Sequence, residues 1–456
     1  MKRVSLFLAG VPMLLSSCAS IVGVEVPSLV PDAQILSASD AEIGDVSGVR
    51  WWQEFDDKTL DGLVEKSLAQ NLDLQSAESR IRQAKAALSA QGINSILSGN
   101  AGTSISRSGG EDIETTDVRG SSFSSGLTLN FGGGTLSALN QAEASLSSAE
   151  VEAGSAQMAV VSSVVNAYLE AAYLREAEEI SEGIVSRSTT TFGLIENKME
   201  MGAATSLDVV QTRVSLEEAK ASLRDVQQAR RSILHTLASL LATSTDEVEA
   251  LLKDSAGIPV PGDSAGIEVP ADFLRNIPSV QSAEFGVEAA AAAVGVAKAQ
   301  LYPSLSLSGS LSATEGVSGW SFGPSLSVPV LNRGALRSNV KQAEEGLEQA
   351  HLAWKMAVLK AVQDYGLAGE TFTYAQKSQV SSNTILTARS EAMRLTKESY
   401  SVGGSSTLDV IDAEQALGSS ELSFAGAQRD LATAWAALQV ASGKGWKLPE
   451  MKKPSI

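Results

Sequence analysis

The chain has 456 residues, of which 43% are hydrophobic, and it carries a formal net charge of −18. This acidic balance argues against a nucleic-acid partner, because binding phosphates requires a clustered basic surface. Two histidines and one cysteine exclude most metal sites and most nucleophilic catalysts. Because His235 and His351 lie in Ala- and Leu-rich helical surroundings, we predict no catalytic residue, no metal and no enzymatic activity.

The first residues have the composition of an export signal. A basic start, an apolar run and small residues precede Cys18 in MKRVSLFLAGVPMLLSS, as in a secretory signal peptide. The residues Leu-Ser-Ser-Cys resemble the lipobox of bacterial lipoproteins, which implies cleavage before Cys18 and acylation there. We therefore expect a signal peptide over residues 1–17, lipid attachment at Cys18, no other cofactor, and an extended tether over 18–50.

Beyond Cys18, the sequence has no apolar run of the ~20 residues that a membrane-spanning helix needs. The longest run, AAAAAVGVA at 289–297, is too short and is mostly alanine. A membrane-spanning part of this chain would therefore have to be built from strands.

The chain contains a tandem duplication. Three segments recur about 200 residues further on and in the same order, which makes chance similarity a poor explanation. They are LDLQSAE and PSVQSAE (72–78 and 278–284), FGGGTL and LNRGAL (131–136 and 331–336), and GAATSLDVV and GGSSTLDVI (202–210 and 403–411).

The first copy, predicted over residues 51–242, begins with a helix over 58–91. A hairpin over 93–131 follows, with strands predicted at 95–106 and 122–131. The segment between them, SGGEDIETTDVRG, is polar and has the composition of an exposed loop tip.

Long helices are predicted over 135–242 in the same copy. Residues 135–200 contain no proline and would form a helix of ~65 residues, on the order of 100 Å long. Such a length is typical of a coiled coil or an extended bundle, and the predicted return helix over 206–242 completes the pair.

The second copy, predicted over 277–443, repeats this order. It has a hairpin over 302–331 and long helices over 335–442. Between the copies, residues 243–276 contain several prolines and glycines, which favour a linker outside the bundle. Residues 444–456 are predicted to be a C-terminal tail.

The stretch YPSLSLSGSLSAT at 302–314 alternates serine with leucine, the pattern of a strand with one polar and one apolar face. Four such strands cannot close a barrel, which needs about eight, and an open edge cannot face hydrocarbon. Two copies would pool eight strands and three would pool twelve (three times four), and only the larger number leaves an open lumen. A soluble sheet buried against helices is the alternative.

In a barrel built from the strands of several copies, the two faces of this strand have different environments. Leu305, Leu307 and Leu311 would face lipid, while the intervening serines would line a water-filled lumen. Tyr302 and Trp320 would lie at the membrane interfaces, where aromatic residues are enriched.

Several motifs carry a family resemblance. The segments RWWQEF (50–55), QLYPSL (300–305), SVPVLNRG (327–334) and YSVGGSSTLDVIDA (400–413), in this order, resemble the lipoprotein branch (OprM- and NodT-like) of the TolC-like outer membrane efflux proteins. The resemblance covers nearly the whole mature chain. It implies a mostly α-helical protomer with four strands, three copies of which form a twelve-stranded β-barrel in the outer membrane, continued by a periplasmic α-helical barrel.

The function that the resemblance implies is the exit duct of a tripartite efflux pump, without catalytic residues. It would conduct small molecules passively to the exterior from a periplasmic adaptor and an inner-membrane RND-type transporter. The implied partners are two further copies of the chain, the adaptor, the transporter and outer-membrane lipids. The alternatives are a channel for type I protein secretion and a lipid-anchored helical scaffold without a pore.

The turns between the long helices are the candidate site. Glycine is placed to end one helix at each turn, and a capping box is predicted to start the next. The boxes are Thr205 with Asp208 and Ser406 with Asp409. In the family these turns form the periplasmic tip on which the adaptor docks, which implies docking residues Gly202, Ala203, Thr205, Gly403, Gly404 and Ser406.

Asp409 and Asp412 match the acidic pair of the family's constriction, and at i, i+3 they share a helix face. Three protomers would place these carboxylates around the axis as a cation-attracting ring. Asp409 has two open interpretations, capping alone or capping with gating, whereas Asp412 lies too deep in the helix to cap. Asp208 is the counterpart of Asp409 in the first copy, where Gln211 replaces the second acid. Some relatives carry a basic latch in this turn, and here the turn GGSS has none.

Overall fold

The computed structural model of the chain describes residues 48–94, 97–110, 113–130, 133–253, 255, 257–261, 273–314 and 317–446. The predicted signal peptide, Cys18, the tether up to residue 47 and the tail beyond 446 lie outside these residues.

Within the described residues the chain forms eight α-helices and four strands. Their order is α1 (Lys58–Gln70), α2 (Leu72–Asn94), β1 (Leu97–Gly110), β2 (Ile113–Asn130), α3 (Gly134–Glu200), α4 (Ser206–Leu240), α5 (Thr245–Leu252), α6 (Pro278–Ala299), β3 (Ser304–Thr314), β4 (Val317–Ser327), α7 (Arg333–Ser401) and α8 (Thr407–Ala441). The long helices predicted from 135 and from 335 are thus observed as α3 and α7.

The described residues divide into two compact units. One contains Ser79–Val151 and Val280–Ala357, and therefore the strands. The other contains the residues up to Glu78, Glu152–Ser279, and the residues from Val358 onward. Among the described helices, none combines the length and the apolar character needed to cross a membrane.

The single helix predicted over 58–91 is wrong, because the chain breaks at Asn71. The Asn71 backbone is extended there, and its Oδ1 accepts hydrogen bonds from the N–H groups of Asp73 (2.8 Å) and Leu74 (3.3 Å). Asparagine is a preferred N-cap, so it ends α1 and starts α2. Its Nδ2 also donates to the Leu240 carbonyl at 3.0 Å, which ties the break to the end of α4.

The polar loop predicted between the first two strands is also wrong. Strand β1 extends to Gly110 and β2 begins at Ile113, with ladder pairs such as Ser108 with Thr116. Strands pair through backbone groups and need no apolar side chains where they cover no core. The polar composition of this segment therefore predicted a loop where the structure has strands. The second hairpin ends at Ser327, with β4, and not at the predicted residue 331; Pro329, two residues further on, has no N–H to donate to a ladder.

The predicted linker over 243–276 contains the short helix α5. Ser244 caps this helix, since its hydroxyl accepts a hydrogen bond from the Glu247 N–H at 3.3 Å. Val248 on α5 is fully buried, so this part of the segment packs against the helices.

The four strands form one antiparallel sheet in the order β1-β2-β3-β4. Phe123, Leu311 and Trp320 are direct neighbours across β2, β3 and β4, so the apolar residues of three strands share one face. On the opposite face the hydroxyls of Ser310 and Ser321 lie 2.9 Å apart. The predicted alternation of the Ser–Leu stretch is confirmed.

The apolar face of this sheet is not covered by the chain. Phe123, Leu311, Trp320 and Phe322 are each more than half exposed. The alternative prediction, a sheet buried against helices, is therefore wrong for the described residues.

The second unit has an aromatic core that explains the RWWQEF motif. Trp51, Phe55 and Trp435 are buried, and the Trp435 ring makes edge-on contacts with Trp51 (5.9 Å between centroids) and Phe55 (4.9 Å). Such pairs add to the ~1.5–3 kcal/mol gained by burying each large side chain. The motif therefore serves packing.

Small residues let α3 and α8 approach closely. A Cβ atom at Gly418 would lie 2.7 Å from Cδ1 of Ile184, which is closer than van der Waals contact allows. The narrow, alanine-rich stripe of these helices thus allows close packing without a thick core.

The two faces of β3 give a direct test. If the apolar face lies against lipid, Leu307→Arg places a cation in hydrocarbon at a cost of about 2–4 kcal/mol, and we expect little protein in the outer-membrane fraction. Ser306→Arg is the matched control, because Ser306 lies on the opposite face of the same strand. Equal loss of both variants from heat-stable oligomers on gels would contradict the assignment of the faces.

Candidate functional site: the two helix turns

Both turns belong to the second compact unit, where α3 turns into α4 and α7 turns into α8. In the first turn Gly202 has φ +72°, a left-handed conformation that costs glycine little. Its N–H donates to the Met199 carbonyl (2.9 Å), and the Ala203 N–H donates to the Lys198 carbonyl (2.7 Å). These bonds satisfy carbonyls at the end of α3 and reverse the chain.

A capping box then starts α4. The Asp208 N–H donates to the Thr205 hydroxyl oxygen (3.2 Å), and the Asp208 carboxylate accepts from the Thr205 N–H (2.8 Å). The Thr205 hydroxyl also donates to that carboxylate at 2.6 Å. The predicted capping box is present.

The second turn has the same construction. Gly403 has φ +82°, and the Gly404 N–H donates to the Ser399 carbonyl at 2.8 Å. The Asp409 carboxylate accepts from both the N–H and the hydroxyl of Ser406, each at 2.7 Å. This second capping box is also as predicted.

These hydrogen bonds keep both capping carboxylates charged. The pKa of Asp208 is lowered, first by the hydroxyl of Thr205, then by its N–H, and further by the hydroxyl of Thr407. The pKa of Asp409 is lowered by the N–H of Ser406 and then by its hydroxyl. Both groups therefore remain anionic at neutral and mildly acidic pH.

Asp412 differs from its neighbour Asp409. It lies one turn further along α8, is exposed, and has no hydrogen-bond or ion-pair partner among the described residues. Asp409 is occupied as a cap, so Asp412 contributes the carboxylate that is free to meet a cation or another protomer.

The structure connects the two turns through residues that sequence reasoning missed. The Thr407 hydroxyl is close enough to Asp208 of the other turn to help lower the pKa of that carboxyl, and it lies 3.5 Å from the hydroxyl of Tyr400. Nζ of Lys198 lies 4.0 Å from the Tyr400 ring centroid, within the range of a cation–π interaction. The basic residue that the GGSS turn lacks is thus supplied by α3. The sequence feature that could have pointed to these contacts is Tyr400, an aromatic residue in the last turn of α7.

A second polar cluster lies on the long helices, a few residues away from the turns. Glu414 on α8 is buried, and it accepts a hydrogen bond from Thr191 of α3 (2.9 Å) and faces Lys397 of α7 (3.4 Å). A buried carboxylate needs such partners, so Glu414 links three of the four long helices.

The outermost residues of both turns are apolar. Met201 is 74% exposed and Val402 is 83% exposed, and each lies beside the glycine that reverses the chain. Exposed apolar side chains at such positions favour contact with another protein. Within the described ranges no three His, Cys or acidic side chains come together to hold a metal ion.

Comparison with known proteins gives the family. The model of the outer membrane efflux protein family matches residues 63–243 and 269–444. Nodulation protein T of Rhizobium leguminosarum bv. viciae is 31% identical, over 98% of this chain and 94% of that protein. The pyoverdine export outer membrane protein OpmQ of Pseudomonas aeruginosa is 27% identical, over 98% of each chain.

Among solved structures, the outer-membrane channel OprN matches with a TM-score of 0.78 and 26% identity, over 92% of this chain and 99% of that one. The family resemblance found in the motifs is thereby confirmed. The chain belongs to the outer membrane efflux protein family.

Proposed function

We propose that this protein is the outer-membrane exit duct of a tripartite efflux pump, through which small molecules pass without catalysis by the chain. The observation that carries the proposal is the four-stranded sheet, whose apolar face the chain itself leaves uncovered. Membership of the efflux family gives that face a lipid environment. A relative named for pyoverdine export favours a diffusible cargo over an exported protein.

The edges of the sheet support a trimer. The strand order leaves β1 and β4 each with one unpaired side among the described strands, and lipid cannot satisfy their N–H and C=O groups. Three copies close the ladder with twelve strands (three times four), enough for an open lumen. The serine face then lines that lumen.

The aromatic residues at the two ends of the hairpin fit a membrane band. Tyr302 and Trp320 are both more than half exposed, and Trp320 pairs with Leu311, nine residues after Tyr302. Nine residues span ~30 Å along a strand, or ~23 Å of height at a tilt of about 40°. That height is close to the ~25 Å apolar band of outer-membrane barrels.

Helix α7 carries a second uncovered surface. Leu359, Leu367, Tyr374 and Val380 are each at least 60% exposed, and they recur at intervals close to two helical turns. This apolar stripe has the period of a helix-packing seam. A neighbouring copy of the chain is the partner that covers it, because pooling the strands brings long helices side by side.

The acidic turns form the periplasmic gate in this proposal. Each protomer contributes Asp208, Asp409 and Asp412, and a threefold ring of carboxylates attracts cations. A bound divalent cation holds the ring together and blocks it, whereas unscreened repulsion opens it. The cation–π contact of Lys198 on α3 with Tyr400 on α7 connects the two turns of one protomer.

The remaining assignments follow the architecture. The turn residues Gly202, Ala203, Thr205, Gly403, Gly404 and Ser406, with exposed Met201 and Val402 beside them, are the adaptor-docking tip. The adaptor connects the duct to an inner-membrane transporter of the RND type, which supplies the energy. A lipid on Cys18 anchors the tether in the outer membrane.

Removing the gate carboxylates tests the channel. We expect Asp409→Ala/Asp412→Ala to raise single-channel conductance in planar bilayers and to relieve block by divalent cations, because the cation ring is lost. Asp412→Ala alone should raise conductance without lowering the unfolding temperature, since Asp412 caps nothing. Asp225→Ala, an exposed acid on α4, is the control. Conductance of the double variant equal to wild type would refute the gate.

The capping boxes predict a pH dependence. Both folded-state pKa values are lowered, so the stabilisation is complete above the unfolded pKa of ~3.9 and is lost as the pH falls through the folded values. We expect Asp208→Asn/Asp409→Asn to unfold roughly 1–2 °C per cap below wild type at pH 7. The difference in unfolding temperature should narrow as the pH falls below ~3.9, as followed by circular dichroism. A difference that stays constant with pH would contradict the charged cap.

A further inference from the structure

A cavity of about 400 Å³ lies between α3, α4 and α5, inside the second compact unit and away from the helix turns. Both apolar and charged side chains line it. The lining residues are Ala171, Ala172, Arg175, Arg230, Leu234, Glu249, Ala250, Leu252, Lys253 and Ser255.

The charged residues that line the cavity include more cations than anions. Arg175, Arg230 and Lys253 line it together with one carboxylate, Glu249. An excess of cations in a concave surface would attract an anion.

Two of these cations form no direct ion pair. Arg175 donates to the backbone carbonyl of Ser255 at 2.5 Å, a bond that orients the guanidinium, and its charge also acts on the nearby Glu176 carboxyl. In the described part of the chain, neither Arg175 nor Lys253 forms an ion pair with a carboxylate. Arg230 differs, because it lies 3.2 Å from Glu178 and 3.5 Å from Glu249. The positive charge available to a ligand is therefore that of Arg175 and Lys253.

The apolar lining residues suit a short apolar group. Ala171, Ala172 and Leu234 come from α3 and α4, and Leu252 comes from α5. The volume lies within the ~300–1,000 Å³ range of small-molecule sites. A guanidinium held by a backbone carbonyl still offers N–H groups to a carboxylate, the anion that it matches in geometry.

We propose that this cavity binds a small carboxylate attached to a short apolar chain. The ligand carboxylate pairs with Arg175 and Lys253, and the apolar part of the ligand lies against the Ala and Leu side chains. A short peptide with a free C-terminus and a short fatty acid share this chemistry. The site shares no residue with the proposed gate and does not depend on it.

The test uses the full-length protein in detergent and ligand-observed NMR at millimolar ligand. N-acetyl-Ala-Ala and hexanoate are the two probes, and their uncharged counterparts, N-acetyl-Ala-Ala-amide and hexanamide, are the matched controls. We expect saturation transfer to at least one acid and none to its amide. A signal from the peptide alone or from hexanoate alone identifies the source. No transfer to either acid, or equal transfer to acid and amide, would overturn the proposal.

Variants locate the binding. Lys253→Gln removes an exposed cation without a partner and should weaken binding about tenfold, the loss expected for one charge-assisted contact. Ala250→Phe fills the cavity from its exposed rim and should abolish binding. Lys58→Gln, an exposed lysine outside the cavity, should bind as wild type does. Unfolding temperatures should be unchanged in all three. Wild-type affinity in both cavity variants would place the ligand elsewhere and refute the site.

Discussion

An antiparallel sheet with an uncovered apolar face and two unpaired edges is not stable alone in either water or lipid. In water the face with Phe123, Leu311 and Trp320 would aggregate, and in lipid the edges of β1 and β4 would leave backbone groups without partners. Pooling strands with other copies satisfies both demands at once. The trimer, the lumen and the side-by-side long helices all follow from this requirement in the proposed architecture.

The helices solve a different problem with small residues. Close approach of α3 and α8 depends on positions such as Gly418, which accepts Ile184 where any side chain would collide. Because the seam is thin, specific polar contacts such as Glu414 with Thr191 and Lys397 keep the register of the helices. At the turns, the capping boxes use the carboxylates of Asp208 and Asp409 for local structure. This division of roles leaves Asp412 as the exposed carboxylate that the proposed gate would use.

Much of the fold could be predicted because its signals are local. Absence of proline over 135–200 gave α3, period-two alternation gave β3, and the spacing of Thr205 and Asp208 gave a capping box. The misses have physical reasons. Asn71 breaks a helix by capping, which periodicity does not show, and the polar end of the first hairpin forms strands because a ladder needs only backbone groups.

Contacts between distant segments could not be predicted from the sequence, for another reason. Lys198, Tyr400 and Thr407 meet only because two turns some 200 residues apart lie side by side. Likewise, Arg175 lies on α3, Arg230 lies on α4 and Lys253 directly follows α5, and they have no common motif. Side-chain contacts of this kind depend on how the helices pack, and no fixed spacing in the sequence marks them.

The closure of the sheet by other copies can be measured by cross-linking its two edges. In a Cys18→Ser background, Ala101→Cys places a thiol on β1 and Ser318→Cys places one on β4. Within one chain these edges are three strand spacings apart, about 14 Å, too far for a disulfide. The account predicts disulfide-linked dimers and trimers on non-reducing gels with the double variant and none with either single variant. A double variant that stays monomeric while both thiols are oxidised or labelled would contradict it.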